Sequence, residues 1–235
     1  MAGMRGYGQF CPMALAAEII GERWTLLILR ELMLGSTRFN DIHRGVPRIS
    51  PTLLTQRLRA LEIAGIVERR EAGGYGLTEA GAELWPVIER LAVWGKTWLP
   101  ATLSQGGADP DLIMWDLHRR MELERLPPER TTIHFVFTDQ PKAKRDRWIL
   151  CSRDGAEFCI TDPGFEADLY VTTDSRTITW VWYGDIPLKA ALDEGLILLD
   201  GPARLCAAFP SWLRLNLLAQ VPRRHPLRHD QSAAA

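Results

Sequence analysis

Cysteine is scarce in this chain. The four cysteines, Cys11, Cys151, Cys159 and Cys206, form no CxxC pair and no Cys/His cluster at zinc spacing. No metal site is expected from them, and a disulfide framework is not expected in a chain long enough to bury an ordinary core. Long apolar runs are missing as well: none reaches the roughly 18 residues needed to span a bilayer, so no membrane partner is expected. The first ten residues hold one arginine and no apolar stretch, which is not the pattern of a secretory signal. A cytoplasmic location is the expectation. Enzyme signatures are absent too. There is no GxSxG, no HExxH and no Gly-rich phosphate loop. His43 falls in the third expected helix, His118 and His134 have no evident partners, and His225 and His229 fall in a tail without apolar periodicity. No catalytic residue, cofactor or enzymatic activity is therefore expected.

What is present is an ordinary globular composition, 46% hydrophobic and 24% charged over 235 residues, enough for one large or two small domains. The net charge of −1 hides an asymmetry: residues 1–100 carry +2 and residues 101–235 carry −3. Between residues 38 and 70 stand seven arginines (38, 44, 48, 57, 59, 69 and 70) against Asp41, Glu62 and Glu68. A local basic stretch on a near-neutral chain fits a confined anionic partner.

Residues 104–111, SQGGADPD, read as a linker between two differently patterned halves. The expected organisation is a domain over 1–103, the linker, a second domain over 112–221, and a flexible tail over 222–235. In the first half, Met13 to Ile20, Glu22 to Leu34 and Arg38 to Gly45 read as three helices. Ser50 then looks like an N-cap, with Pro51 as first helical residue of a fourth helix running to about Ala64. Strands at Ile66–Arg70 and Tyr75–Leu77 flank a Gly73-Gly74 turn. A final helix is expected from Thr78 to about Leu99.

That order is a winged helix-turn-helix. On a helical wheel Leu54, Leu58 and Leu61 share the inward face of the fourth helix. Thr52, Gln56 and Arg59 fall opposite, with Thr55 on the flank; threonine and glutamine read base edges, and arginine grips guanine or phosphate. Alone, these side chains read equally well as a solvated helix face. Arg69 and Arg70 beside the Gly-Gly turn, and Arg38, Arg44 and Arg48 ahead of the helix, supply basic positions on both sides of it. The DNA-binding set is accordingly Arg38, Arg48, Ser50, Thr52, Thr55, Gln56, Arg57, Arg59, Arg69 and Arg70. Leu84, Ile88, Leu91, Trp94 and Trp98 form a near-heptad stripe on the last helix, the expected dimerisation face; packing on the chain's own domain is the other reading.

Residues 8–100 resemble the HxlR family of bacterial winged-helix transcriptional regulators, relatives of the MarR group. The strings that carry the resemblance are Cys11-Pro12, Gly21-Glu22-Arg23-Trp24-Thr25-Leu26-Leu27, Arg38-Phe39-Asn40-Asp41-Ile42, Ile49-Ser50-Pro51-Thr52-Leu53-Leu54-Thr55-Gln56-Arg57-Leu58-Arg59 and Tyr75-Gly76-Leu77-Thr78-Glu79. The resemblance implies a dimeric regulator of double-stranded DNA, with the Ser50–Ala64 helix as reader and residues 69–75 as wing. It also implies that Cys11 is a candidate redox sensor. The other reading of Cys11 is a small buried residue at a helix start, where a thiol is inert.

From Thr131 onward the pattern has period two. Strands are expected at Thr132–Thr138, Arg147–Cys151, Glu157–Thr161, Ala167–Thr172 and Leu196–Leu199, and helices at Ser175–Tyr183, Pro187–Glu194 and Pro202–Leu218. The expected fold is α+β, an antiparallel sheet with helices on one face. The order is similar to a sterol-carrier-protein-like domain, through Ala167-Asp168-Leu169-Tyr170-Val171-Thr172-Thr173-Asp174, Tyr183-Gly184-Asp185 and Leu192-Asp193-Glu194-Gly195. This resemblance implies an apolar ligand between sheet and helices, near Trp180, Tyr183, Phe209 and Trp212, that acts as effector. The other reading of these aromatics is ordinary core. The alternative function is a lipid or hydrophobic-ligand carrier whose first half serves only assembly.

Overall fold

The computed structural model describes residues 6–100 and 108–225. The chain divides into two compact units, Met1–Leu91 and Ala92–Ala235. Half of the expected linker, residues 104–107, and the last ten residues of the tail lie outside the described residues.

In the first unit α1 spans Pro12–Ile20, α2 Thr25–Met33, α3 Phe39–Gly45 and α4 Pro51–Ile63. The helix expected from Glu22 begins later because Trp24 adopts a left-handed backbone (φ 78°) at its N-cap. Ser50 caps α4 by accepting a hydrogen bond from the Leu53 amide at 3.3 Å, and Pro51 takes the first turn, where its missing N–H costs nothing. β1 (Val67–Arg69) and β2 (Tyr75–Leu77) pair antiparallel. Their turn uses Gly73 and Gly74 at φ 84° and 87°, a region glycine enters without steric cost. The Tyr75 amide donates to the carbonyl of Thr37 at 2.7 Å, which ties the hairpin to the chain just ahead of α3.

The single helix expected from Thr78 to Leu99 is two: α5, Glu79–Ala82, and α6, Trp85–Trp98. Pro86 in the first turn of α6 has no amide to give to the preceding turn, and the helix restarts around it. Ile28, Leu29, Ile42, Leu54, Leu58, Leu61 and Ile88 form the buried centre of this unit.

After the end of α6 the second unit continues with α7, Pro110–His118, a helix that begins inside the stretch read as linker. Asp109 caps it and Pro110 starts it, the device already seen at Ser50-Pro51. A five-stranded sheet follows in the order β5-β4-β3-β6-β7, with β3 Thr131–Phe137, β4 Asp146–Ser152, β5 Gly155–Cys159, β6 Leu169–Thr173 and β7 Leu198–Asp200. A short helix α8, Lys142–Arg145, joins β3 to β4. The sheet is mixed, not antiparallel as expected: β3 pairs parallel to β6 from Ile133↔Leu169 to Phe137↔Thr173. Period-two alternation is the same in both kinds of ladder, so the pattern carried no information on strand direction.

One face of the sheet (Ile133, Phe135, Phe137, Ile149, Leu169, Val171) shares a core with Trp182 of α9 (Ser175–Trp182) and with Phe209 and Trp212 of α11 (Ala203–Trp212). Between α9 and β7 lies α10, Leu188–Asp193. On the other face His134 stacks on Trp148 and bonds Asp146 Oδ1 at 2.9 Å. The helix expected to reach Leu218 stops at Trp212, because the chain there turns extended and bridges to residues 120–122.

The last two turns of α6, from Ala92 on, belong to this unit. Lys96, almost fully buried, donates from Nζ to the carbonyls of Tyr183 and Leu218 and faces Asp185 Oδ1 at 3.7 Å. Arg223 Nε donates to the same carboxylate oxygen at 2.8 Å.

Candidate nucleic-acid interface

Helix α4 carries the site. Leu54 and Leu58 are fully buried and Leu61 nearly so, which fixes the rotation of the helix about its axis. The opposite face then has only one way to point. Thr52, Gln56 and Arg59 are exposed, and their side chains make no hydrogen bond or ion pair among the described residues. Thr55 is exposed too, but its hydroxyl donates back to the Pro51 carbonyl at 3.0 Å. Ser50 is occupied as the cap.

The arginines divide by environment. Arg38, at the N-cap of α3, and Arg48, in the turn before α4, are exposed. Arg57 sits at the edge of the buried face and pairs with Glu22 at 2.6 Å, so its guanidinium is held inside the first unit. Arg69 pairs with Glu62 at 2.8 Å and lies over the Tyr75 ring, 4.3 Å from its centre, along the hairpin. Arg70 is exposed and lies over Gly76, where an added Cβ would meet its Nε at 2.6 Å. Arg48 and Arg70 are thus two exposed cations, one from the turn and one from the wing. Arg44 faces Asp41 at 3.9 Å.

The turn into α4 is stiff. His43 bonds the Ile49 carbonyl through Nε2 at 2.9 Å, and Val46 and Ile49 are buried. Sequence reasoning had not singled out His43 in this role. Its spacing of six from Ile49 is a tertiary contact with no periodic signature.

The expected dimerisation stripe separates into two faces. Ile88 is buried in the first unit's core and Leu84 packs against it. Leu91, Trp94 and Trp98 are about half exposed, together with Val87, at spacings of four, three and four. Cys11 is exposed at the N-cap of α1, and Tyr7, Phe10, Met13 and Leu15 around it are exposed apolar residues. In the second unit Trp180 is buried, and Phe209 and Trp212, edge to face at 6.0 Å, lie in the buried core against which Tyr183 packs. A polar notch on this unit is lined by Gly184, Asp185, Ala219 and Arg223, and by none of those four aromatics. Among the described residues no cluster of His, Cys, Asp and Glu could hold a metal ion, and no helix is long and apolar enough to cross a membrane.

Comparison with known proteins places these elements. The model of the HxlR-like helix-turn-helix family matches residues 19–103. The HTH-type transcriptional regulator Rv3095 of Mycobacterium tuberculosis is 46% identical over 93 residues, 36% of this chain and 57% of that protein. The match therefore spans little more than half of the mycobacterial relative. The HTH-type transcriptional regulator YvaP of Bacillus subtilis is 33% identical over 98 residues, 39% of this chain and 91% of the relative. Among solved structures, quinone-bound YodB from B. subtilis is 41% identical, covering 36% of this chain and 96% of YodB, with a TM-score of 0.34.

Proposed function

The chain belongs to the HxlR-like helix-turn-helix family, and from that membership we propose that it is a dimeric, DNA-binding transcriptional regulator. In this reading α4 enters the major groove. Thr52, Gln56 and Arg59 meet base edges there, while Arg48 and Arg70 meet the phosphates on either side. The observation that carries it is the helix itself. Three buried leucines hold it, and the Thr52, Gln56 and Arg59 side chains, without a partner among the described residues, are turned outward. Arg38 and Arg69 add charge at the margins, and Arg57, tied to Glu22, serves the fold.

Two-fold operators need two readers, and the exposed Val87, Leu91, Trp94 and Trp98 of α6, with the apolar residues around Cys11, supply the surface for a second copy. Control enters at two places. Cys11 is an exposed thiol at a helix start, open to oxidants and electrophiles. In the second unit the indole N–H groups of Trp182 and Trp212 are buried with no acceptor among the described residues. An apolar effector bearing a hydrogen-bond acceptor would pair these N–H groups only by parting the packed core, and it changes DNA affinity only by preferring one arrangement of the dimer.

The test is a salt titration of binding to a duplex enriched by this protein from a random pool. Affinity falls steeply with salt, because phosphate contacts release counterions. Arg48→Ala and Arg70→Ala each weaken all duplexes alike and lower the salt slope by about one. Salt-independent binding, or unchanged slopes in both variants, contradicts the reading.

A further inference from the structure

Glu31 in α2 is a fully buried carboxylate placed where the reading apparatus is joined. Its Oε1 accepts from Arg30 Nη2 at 2.8 Å and Nε at 3.2 Å. The same Arg30 Nη2 donates to the carbonyl of Gly45, the last residue of α3, at 3.0 Å. Oε2 accepts from the hydroxyl of Ser36, itself buried, at 3.1 Å. The carboxylate lies so close to Gly45 that a Cβ there would stand 2.0–2.5 Å from its atoms, so only glycine admits it.

Both groups gripped are junctions. Gly45 begins the stiff turn that enters α4. Ser36 adjoins Thr37, whose carbonyl receives the Tyr75 amide of the wing. The Glu31 carboxylate therefore holds Ser36, where the hairpin is anchored, directly, and holds Gly45, where the turn into α4 begins, through the Arg30 guanidinium that it orients.

We propose that Glu31, with Ser36 and Gly45, is the positioning centre that sets the spacing between the reading helix and the wing. It thereby governs specific rather than general DNA affinity. The proposal rests on α4 and the wing being the DNA-contacting elements. Specific recognition requires base edges and flanking phosphates to be met together, whereas general binding to the charged backbone tolerates a shifted wing.

The test uses the full chain, a duplex enriched by the wild-type protein from a random pool, and a scrambled duplex of equal length. Glu31→Gln and Ser36→Ala are compared below their unfolding transitions. Each is expected to lower affinity for the enriched duplex about tenfold while changing the scrambled duplex less than about threefold. Ser36→Thr, which keeps the hydroxyl, restores the ratio. If specific and general affinity fall together in both variants, or if neither falls, the proposal is overturned. Should Glu31→Gln not fold, Ser36→Ala and Ser36→Thr decide alone. Hydrogen exchange supplies the second arm: the Tyr75 amide is expected to exchange at least about tenfold faster in Ser36→Ala at unchanged global stability. If the wild-type chain enriches no duplex, the DNA reading has failed while exchange still judges the clasp. Unaltered Tyr75 exchange overturns it.

Discussion

Lys96 shows how much one residue can hold. Its ammonium is buried against Asp185, which Arg223 also grips. Burial pulls its pKa below the ordinary lysine value, with the neighbouring Arg223 acting in the same direction and Asp185 opposing. The unfolded chain therefore binds this proton more tightly than the folded one. Stability should rise as pH climbs from the lowered value toward 10.5. Urea unfolding of wild type and Lys96→Met between pH 8 and 10 isolates the effect: the difference between the two curves changes with pH. Losing the partner of a buried carboxylate that keeps Arg223 costs about 3 kcal/mol at neutral pH, the low end for a broken buried pair. A difference that is flat with pH would show that Lys96 is not charged and buried as described. Cys151 makes the opposite case. Burial raises its thiol to about 12, with Asp168 adding to the shift. The folded protein should leave it unlabelled by iodoacetamide at pH 8, while the exposed Cys11 reacts. Equal labelling of the two would contradict the burial of Cys151. Neither environment could be read from the chain, because Lys96 and Asp185 lie 89 positions apart and no periodicity links them.

At the scale of elements, legibility followed locality. α4 was readable nearly to the residue because its cap, its first proline and its leucine spacing all lie within fifteen positions. Ser50→Ala should cost about 1 kcal/mol in urea unfolding, the usual worth of a hydrogen-bonded cap. The wing hairpin was readable from its glycines, and Gly74→Ala is the sharper probe. It meets both a φ of 87° and the Thr37 carbonyl at 2.6 Å from the new Cβ. A lowered melting temperature with loss of the Tyr75 amide's protection is expected; an unperturbed hairpin would refute that close approach. Two elements were misjudged where distant partners decide. α11 ends at Trp212 because its next residue pairs with the chain near Met121. β6 lies parallel to β3 because the connection from β5 returns it to the sheet interior, beyond the reach of an alternation pattern.

For the whole molecule, the α6 stripe was legible as apolar but not as two faces. At about 100° per residue Ile88 stands about 100° from Val87 and about 120° from Trp94, so the apolar stripe is wide enough to turn Ile88 inward and leave Val87 and Trp94 outward. If that outward face joins two copies, Leu91→Glu with Trp94→Glu should give a folded monomer by sedimentation equilibrium where wild type is a dimer. Wild type sedimenting as a monomer would remove the two-fold reading.

The central claim concerns the outward face of α4. Its most direct measurement is the base-preference profile obtained by sequencing duplexes that wild type, Gln56→Ala and Arg59→Ala each enrich from the same random pool. The account predicts that each substitution relaxes preference at one or two base pairs in each half-site, at a cost of about 1–3 kcal/mol per position, and leaves the other positions unchanged. Profiles indistinguishable from wild type in both variants would contradict it.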